Sequence, residues 1–394
     1  MMKIPSDHEG EATVSLYLDH AATSFPKPES VLRAVIHYQQ RIGSNPSRGA
    51  YPEARNAGRI QFDTRAALAE LLGVSNPTRL LLGPSATWAL NQAIIGVLKP
   101  GDHVIVSGLE HNSTMRPLQA LKDDGVITFC KAHCDRFGQM DPEQLEALLQ
   151  PRTRALVFNH GSNVLGTLAP ASALAQFARR HGLISICDAS QSVGNVPLGL
   201  DALGLDLVGF SGHKALQGPM GTGVLYVHPE FDITTMRPLM YGGTGSHSAS
   251  LHQPEHLPDR FESGTPNMPG IAGLGAAAHW LSQTGINTLA AHKRALVARF
   301  YRLGAQVPGL ITYVPPEHIH TGTVSFNLAG VSPSALADWL SERRGIALRV
   351  GLHCAPLAHQ SLGTFPEGTV RFSVGPTTTP AAIDLLVRAL KDYG

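Results

Sequence analysis

Lys214 stands at the end of an apolar run in "DLVGFSGHKALQGPMGTGVLYV", residues 206 to 227, where Ser-Gly-His-Lys gives way to a glycine-rich turn and a second apolar run. A lysine after a strand is ordinarily a solvated loop residue. Held in a cleft at the strand end, it gives up its proton more readily and forms a Schiff base with a carbonyl cofactor. Other polar residues take the same kind of place: Ser85 and Thr87 after "LLLG", His111 after "HVIVSGLE", Asn163 after "VFNHGS", Asp188 and Gln191 after "LISIC", and His213 beside Lys214. Each has an ordinary structural reading, as a helix cap, a turn residue or a surface histidine.

Taken together these types match what pyridoxal phosphate needs. Lys214 would hold the cofactor and, once displaced by substrate, act as the free base. Asp188 would keep the pyridine nitrogen protonated, Gln191 would donate to the phenolate oxygen, and His111 would stack on the ring with its imidazole available as acid or base. The helix start "SATWAL" offers backbone N–H groups to a phosphate, with Ser211 and His213 closing the cup.

Seven short apolar runs between about residues 78 and 227 must position these groups: "RLLLG", "HVIVS", "VITFC", "RALVFN", "LISICD", "DLVGFS" and "TGVLYV". Helical segments such as "TWALNQAIIGVL" and "PASALAQFARRHG" alternate with them, which predicts an α/β fold with a mainly parallel seven-stranded sheet. Ligands of such sheets bind beyond the carboxyl ends of the strands. Residues 236 to 270, rich in Gly, Ser, His and Pro, read as a long functional loop and linker; His247, His252 and His256 there lack a carboxylate frame and predict no metal site. Beyond it "GTVSFNL", "GIALRV" and "TVRFSV" alternate with helices as a smaller α/β domain. The expected division is a large domain over 20–265 and a small one made of 1–19 and 266–394.

Of four cysteines, Cys130 and Cys134 lack a second ligand pair and Cys187 lies in an apolar run, so all three read as reduced structural thiols. Cys354 differs. It follows an apolar run in "RVGLHCAPLAH", with Arg349 and His353 nearby, and positive charge lowers a thiol's pKa.

The succession "YLDHAATSFPKP", "EHNSTMRPL", "NHGSNVLGT", "CDASQSVGNVPL", "GFSGHKALQGPMGTGVLY", "FESGTPN" and "RVGLHCAPLAH" resembles the class V aminotransferase superfamily, and within it the group II cysteine desulfurases and selenocysteine lyases. The resemblance implies a pyridoxal-phosphate fold of type I and a homodimer with active sites at the subunit interface. It implies Lys214 as the Schiff-base lysine, with Asp188, Gln191 and His111 in the roles above. Phosphate contacts would come from Thr87, the backbone of Ala86, Ser211, His213 and Thr265 of the partner subunit. Asn163 and Arg371 would grip the substrate carboxylate, with Arg349 and His353 close to it. Cys354 would take the sulfur of L-cysteine as a persulfide, release L-alanine and pass the sulfur to an acceptor protein or thiol. The resemblance leaves open selenocysteine as substrate and a C–S lyase that forms pyruvate. Two departures bear on the site: His20 where many relatives have asparagine, expected to alter a contact near the cofactor entrance, and Trp88, expected to reshape the wall.

Composition excludes other classes. With 394 residues, 15% charged and a net charge of +1, the chain shows no like-charge run for nucleic acid or a membrane surface. The first twenty residues lack a signal-peptide core, which predicts a cytoplasmic protein. No G-x-G-x-x-G follows the first strand, which argues against a nicotinamide enzyme. An interaction protein that has lost turnover would have no chemical reason to keep Lys214, Asp188, His111, Arg371 and Cys354.

Overall fold

A computed structural model describes residues 16–46, 49–135 and 137–393; the N-terminal residues read above for a signal peptide and assigned to the small domain lie outside it up to residue 15. The seven apolar runs all form strands, because continuous aliphatic stretches of five or so residues are stable only when both faces are covered. After β1 (Leu16–Tyr17) they are β2 (Leu80–Gly83), β3 (Asp102–Ser107), β4 (Ile127–Ala132), β5 (Thr153–Asn159), β6 (Ile184–Asp188), β7 (Leu207–Ser211) and β8 (Gly223–Val227). They build one sheet in the order β2-β8-β7-β6-β5-β3-β4, with β8 alone antiparallel to both its neighbours.

Alternation along each strand divides the core in two. Leu81, Val104, Val106, Val157, Ile186 and Leu225 pack with Leu90 and Ile94 of the helix Ala86–Val97 on one face. Leu82, Ile105, Phe158, Cys187, Phe210 and Tyr226 fill the other. Cys187 is thus a core residue, and burial pushes its thiol well above the ordinary value.

Downstream, β9 (Leu310–Thr312), β10 (Thr323–Leu328), β11 (Ile346–Ala347), β12 (Arg349–Gly351) and β13 (Thr369–Ser373) follow. An antiparallel sheet runs β12-β13-β10-β9. The single run expected over "GIALRV" is divided: β11 pairs in parallel with β1, while β12 pairs with β13. The three-residue β9, half exposed, is too short to leave a readable alternation. Leu18 continues the β1 edge, and Ser373 N–H donates to its carbonyl at 2.7 Å. Asp19 is thereby carried to the end of β13, beside Arg371, 352 residues away in sequence.

Candidate active site

The loops after β2, β3, β5, β6 and β7 open on one rim of the large sheet, and the turn after β12 meets them there. A cavity of about 220 Å³ results. Ala86, Thr87, His111, Asn163, Asp188, Gln191, Ser211, His213, Lys214, Arg349, His353, Cys354 and Arg371 all line it. Only Thr265, among the residues expected, does not. It lies in a separate groove of about 840 Å³ with Phe62, Trp88, Met240 and Phe261.

Lys214 faces the cavity with no hydrogen bond or ion pair to Nζ among the described residues. Burial lowers its pKa, Asp188 opposes that, and Arg371 and Arg349 reinforce it. Asp188, at the last position of β6, is buried and accepts a hydrogen bond from Ser190 N–H at 2.9 Å. The loop after β7 is braced from outside: Lys27 Nζ donates to the His213 carbonyl at 2.6 Å and to Ser24 Oγ at 2.7 Å.

His111 caps the helix Asn112–Asp123, its Nδ1 accepting from Ser113 N–H at 3.0 Å. An acceptor nitrogen carries no proton, so the ring is the neutral Nε2–H tautomer. Burial, only partly opposed by Asp188, brings its pKa down to about 4. At neutral pH His111 is therefore a hydrogen-bond donor through Nε2. The base role allowed for it does not suit this tautomer.

The helix Ala86–Val97 starts with Ser85 Oγ accepting from Trp88 N–H at 3.1 Å. Ala86 and Thr87 follow on the cavity wall, where Thr87 Oγ1 and Ser113 Oγ are 3.0 Å apart. Ser211 Oγ and Ser190 Oγ are buried without a partner among the described residues. Gly223 of β8 lets the strand approach: a Cβ there would lie 2.2 Å from the Ser85 carbonyl carbon. A lysine, a carboxylate, a helix start and unpartnered hydroxyls form the donor set that pyridoxal phosphate requires, and the residues fit that group.

Cys354 is exposed at the cavity mouth, and both His353 (φ 49°) and Cys354 (φ 58°) occupy the left-handed region. Two consecutive non-glycine residues there cost about 1–3 kcal/mol each. Tertiary hydrogen bonds hold them: Asn163 Nδ2 donates to the His353 carbonyl at 2.7 Å, and Asn112 N–H to the Cys354 carbonyl at 2.8 Å. The positive charge expected of His353 is not available. Its ring is buried beside Thr369 Oγ1, 3.1 Å from Nε2, and burial with the nearby Arg371 holds its pKa well below the ordinary value. Lys214 and Arg371 are the cations within electrostatic reach of Cys354, with Arg349 also on the cavity wall.

Arg371, on β13, is 2% exposed and ties the two halves of the site together. It donates to Asp19 Oδ1 at 2.8 Å and to the Asn163 carbonyl at 3.0 Å, with Nε unpartnered among the described residues. Asp19, which also has Arg349 Nη1 3.8 Å from Oδ2, was quoted above only as part of a motif. Glu110 was missed as well. Fully buried, it accepts from Asn159 N–H at 2.6 Å and pairs with Ser107 Oγ at 2.5 Å, and burial pushes its pKa up to about 7. An ionisable residue directly before His111 was the one signal for it.

Both departures lie away from the cavity. Trp88 packs over Gly83 and faces the larger groove, and His20 lies against Gly375 behind Gln191. No group of three or more His, Cys, Asp or Glu side chains among the described residues is placed to hold a metal. No helix among them is long and apolar enough to cross a membrane.

The aminotransferase class-V family model matches residues 16–386. A protein of Methanothermobacter thermautotrophicus named "Probable cysteine desulfurase" is 32% identical over 382 residues, covering 96% of this chain and 94% of that one. The "Cysteine desulfurase" of Haloferax volcanii is 32% identical over 94% of this chain and 88% of its own length. Among solved structures, the apo cysteine desulfurase of Thermococcus onnurineus superposes with a TM-score of 0.89 at 28% identity, covering 96% of this chain and 94% of that one. The Escherichia coli cysteine desulfurase CsdA, in an S-sulfonic acid form, gives 0.86 at 30% over the same shares.

Proposed function

The chain belongs to the aminotransferase class-V family, and we propose that it is a pyridoxal-phosphate-dependent cysteine desulfurase that converts L-cysteine to L-alanine and takes the sulfur onto Cys354. One observation carries the reading: an exposed cysteine on a strained turn stands at the mouth of a cavity lined by Lys214 and Asp188. When bound, pyridoxal phosphate supplies an electron sink for a carbanion at the substrate Cα.

The chain's own residues have these parts. Lys214, lowered in pKa by burial, holds the cofactor and moves the substrate Cα proton with its Nζ. Asp188 keeps a proton on the pyridine nitrogen, Gln191 donates to the phenolate oxygen, and His111 donates through Nε2. Thr87, Ser211, His213 and the backbone of Ala86 hold the phosphate. Arg371, with Asn163, orients the substrate carboxylate, and Arg349 adds positive potential at the mouth.

Cys354 attacks the substrate sulfur as a thiolate. The substrate C–S bond breaks, a new S–S bond forms, and the electron pair left on the substrate carbon takes a proton to give alanine. Cys354 is exposed, so an acceptor thiol can reach the persulfide. Four free cysteines suit a reducing, cytoplasmic setting.

A homodimer is part of the proposal. Phe62, Met220, Met240 and Tyr241 are each more than half exposed, and Phe62 and Met240 line the groove that contains Thr265. A surface of that kind is a protein interface, and the partner's Thr265 would then complete the phosphate cup.

Single-turnover analysis with L-cysteine and no reductant tests the reading. The holoprotein should form one alanine per site and gain about 32 Da for one sulfur, and Cys354→Ala should do neither. Pyruvate in place of alanine, or alanine undiminished in the variant, would transfer the assignment to a C–S lyase or a selenocysteine-directed enzyme.

A further inference from the structure

β2 is an edge of the large sheet, and among the described residues no strand pairs with its outer side. An ion pair takes the outward groups instead. Arg65 Nη1 donates to the Leu80 carbonyl at 2.5 Å, and Glu262 Oε1 accepts from Leu82 N–H at 2.6 Å. The two side chains, 197 residues apart in sequence, also meet fork to fork, Nη1 to Oε1 at 2.8 Å and Nη2 to Oε2. They are only 6% and 12% exposed. Blocking a sheet edge takes no more than a surface charge, whereas a bidentate pair buried this far fixes a position.

What it fixes is the segment that follows. Residues 263–266 run from Glu262 to a second anchor, Asn267. Asn267 Oδ1 accepts from Gly270 N–H at 3.2 Å to cap the helix Met268–Thr284, and its Nδ2 donates to the Gly221 carbonyl at 3.0 Å. Between the anchors, Gly264 N–H donates to the Gly243 carbonyl at 2.8 Å. Thr265 is left exposed on this tethered arc, outside the cavity of its own subunit, and its hydroxyl has no hydrogen bond among the described residues.

We infer that the Arg65–Glu262 pair acts across the dimer: it sets how each subunit's Thr265 reaches into the phosphate cup of the other subunit. The inference rests on the homodimer and the Thr265 contact proposed above. Glu262 is a positioning residue, since it touches the sheet edge and the guanidinium but not the cofactor. A hydroxyl on an arc held at one end only loses its aim, and a hydrogen bond to a charged phosphate is worth about tenfold or more in affinity. The rival role is local. β2 leads through Ser85 into the helix start of the same subunit, so a pair that merely braced the fold would act on that subunit's own cup.

Mixed dimers assembled from differently tagged chains separate the two roles. Lys214→Ala in one subunit leaves only the other able to link the cofactor to a lysine, so the absorbance of the linked form reports one site per dimer. With Glu262→Gln added to the Lys214→Ala subunit, the reporting site receives Thr265 from the altered chain. Pyridoxal phosphate should bind it about tenfold more weakly than it binds the dimer carrying Lys214→Ala alone. With Glu262→Gln moved to the other subunit, affinity should be unchanged. Pyridoxal, which lacks the phosphate, should bind both arrangements equally. Weakening in the second arrangement alone, equal weakening in both, none in either, or pyridoxal weakened as much as its phosphate overturns the inference. Thr265→Ala in place of Glu262→Gln tests the contact beneath it. Weakening in the first arrangement upholds that contact even where Glu262→Gln does nothing and the inference alone fails, whereas no weakening removes both. Glu262→Asp, which keeps the charge but draws the carboxylate back, should show the same asymmetry if Glu262→Gln fails to fold, and its absence there overturns the inference equally.

Discussion

Replacing Asp19 by asparagine keeps the shape of the side chain and removes the charge that faces Arg371. The guanidinium is 2% exposed, and burial lowers its pKa more than Asp19 raises it, so it has no charge compensation to spare. Breaking a fully buried ion pair by removing one partner costs about 3–5 kcal/mol. The Asp19 side chain is 19% exposed, which allows water to supply part of the loss. Arg349 adds little, because at 3.8 Å and 48% side-chain exposure its ion pair is a surface one. The expected loss is about 2–4 kcal/mol. With m on the order of 3 kcal/mol/M, the urea midpoint of the holoprotein should fall by about 1 M, followed by tryptophan fluorescence. A small carboxylate such as alanine should protect the variant more than the wild type, since it replaces the missing negative charge beside Arg371. In an Arg371→Leu background the Asp19 substitution should be nearly neutral. A loss under about 0.5 kcal/mol, or the same loss in both backgrounds, would refute the view that Asp19 acts by compensating Arg371.

Gly223→Ala should weaken pyridoxal phosphate binding at least about tenfold, read by cofactor absorbance after dialysis, because the added Cβ meets the backbone at Ser85 and Ala86 and displaces the helix start. Unchanged occupancy would show that this close approach is unimportant. His160, buried away from solvent, has its pKa lowered from 6.5 to about 4 by burial, so the unfolded chain binds the extra proton. Its contribution is present above pH 6.5 and lost as pH falls toward 4; His160→Gln should flatten the Tm profile in that window, and an equally steep profile would contradict the assignment. Glu110 has the opposite sign. Its pKa rises from 4.5 to about 7 through burial, so its contribution is present below 4.5 and lost as pH rises through 7. Glu110→Gln should therefore gain Tm relative to the wild type at pH 8 compared with pH 5, and an equal difference at both would argue against a titrating carboxyl.

Much of the architecture was written locally in the chain. A strand buried on both faces must be a short continuous apolar run, so all seven strands of the large sheet could be read, and with them the rim where Asp188, His111 and Lys214 meet. Lys214 and Cys354 could be placed at that rim because each follows closely on an apolar run, and their ordinary readings as a loop lysine and a structural thiol gave way only beside the other polar strand-end residues. What the sequence could not determine were the distances between remote segments and the burial that sets charge. "GIALRV" reads as one strand, yet Leu348 separates two pairings, one with β1 and one with β13, and only the packing of the N-terminal segment explains why. That same packing brings Asp19 to Arg371. His353 read as a positive neighbour for Cys354, His20 as a cofactor contact and Trp88 as a wall residue. Burial made His353 neutral, and the tertiary fold turned His20 toward Lys293 and Trp88 toward the larger groove. Periodicity and turn chemistry are properties of neighbours in the chain, whereas pKa values and contact partners depend on which segments share a low-dielectric interior, and that is decided only when the whole chain has packed.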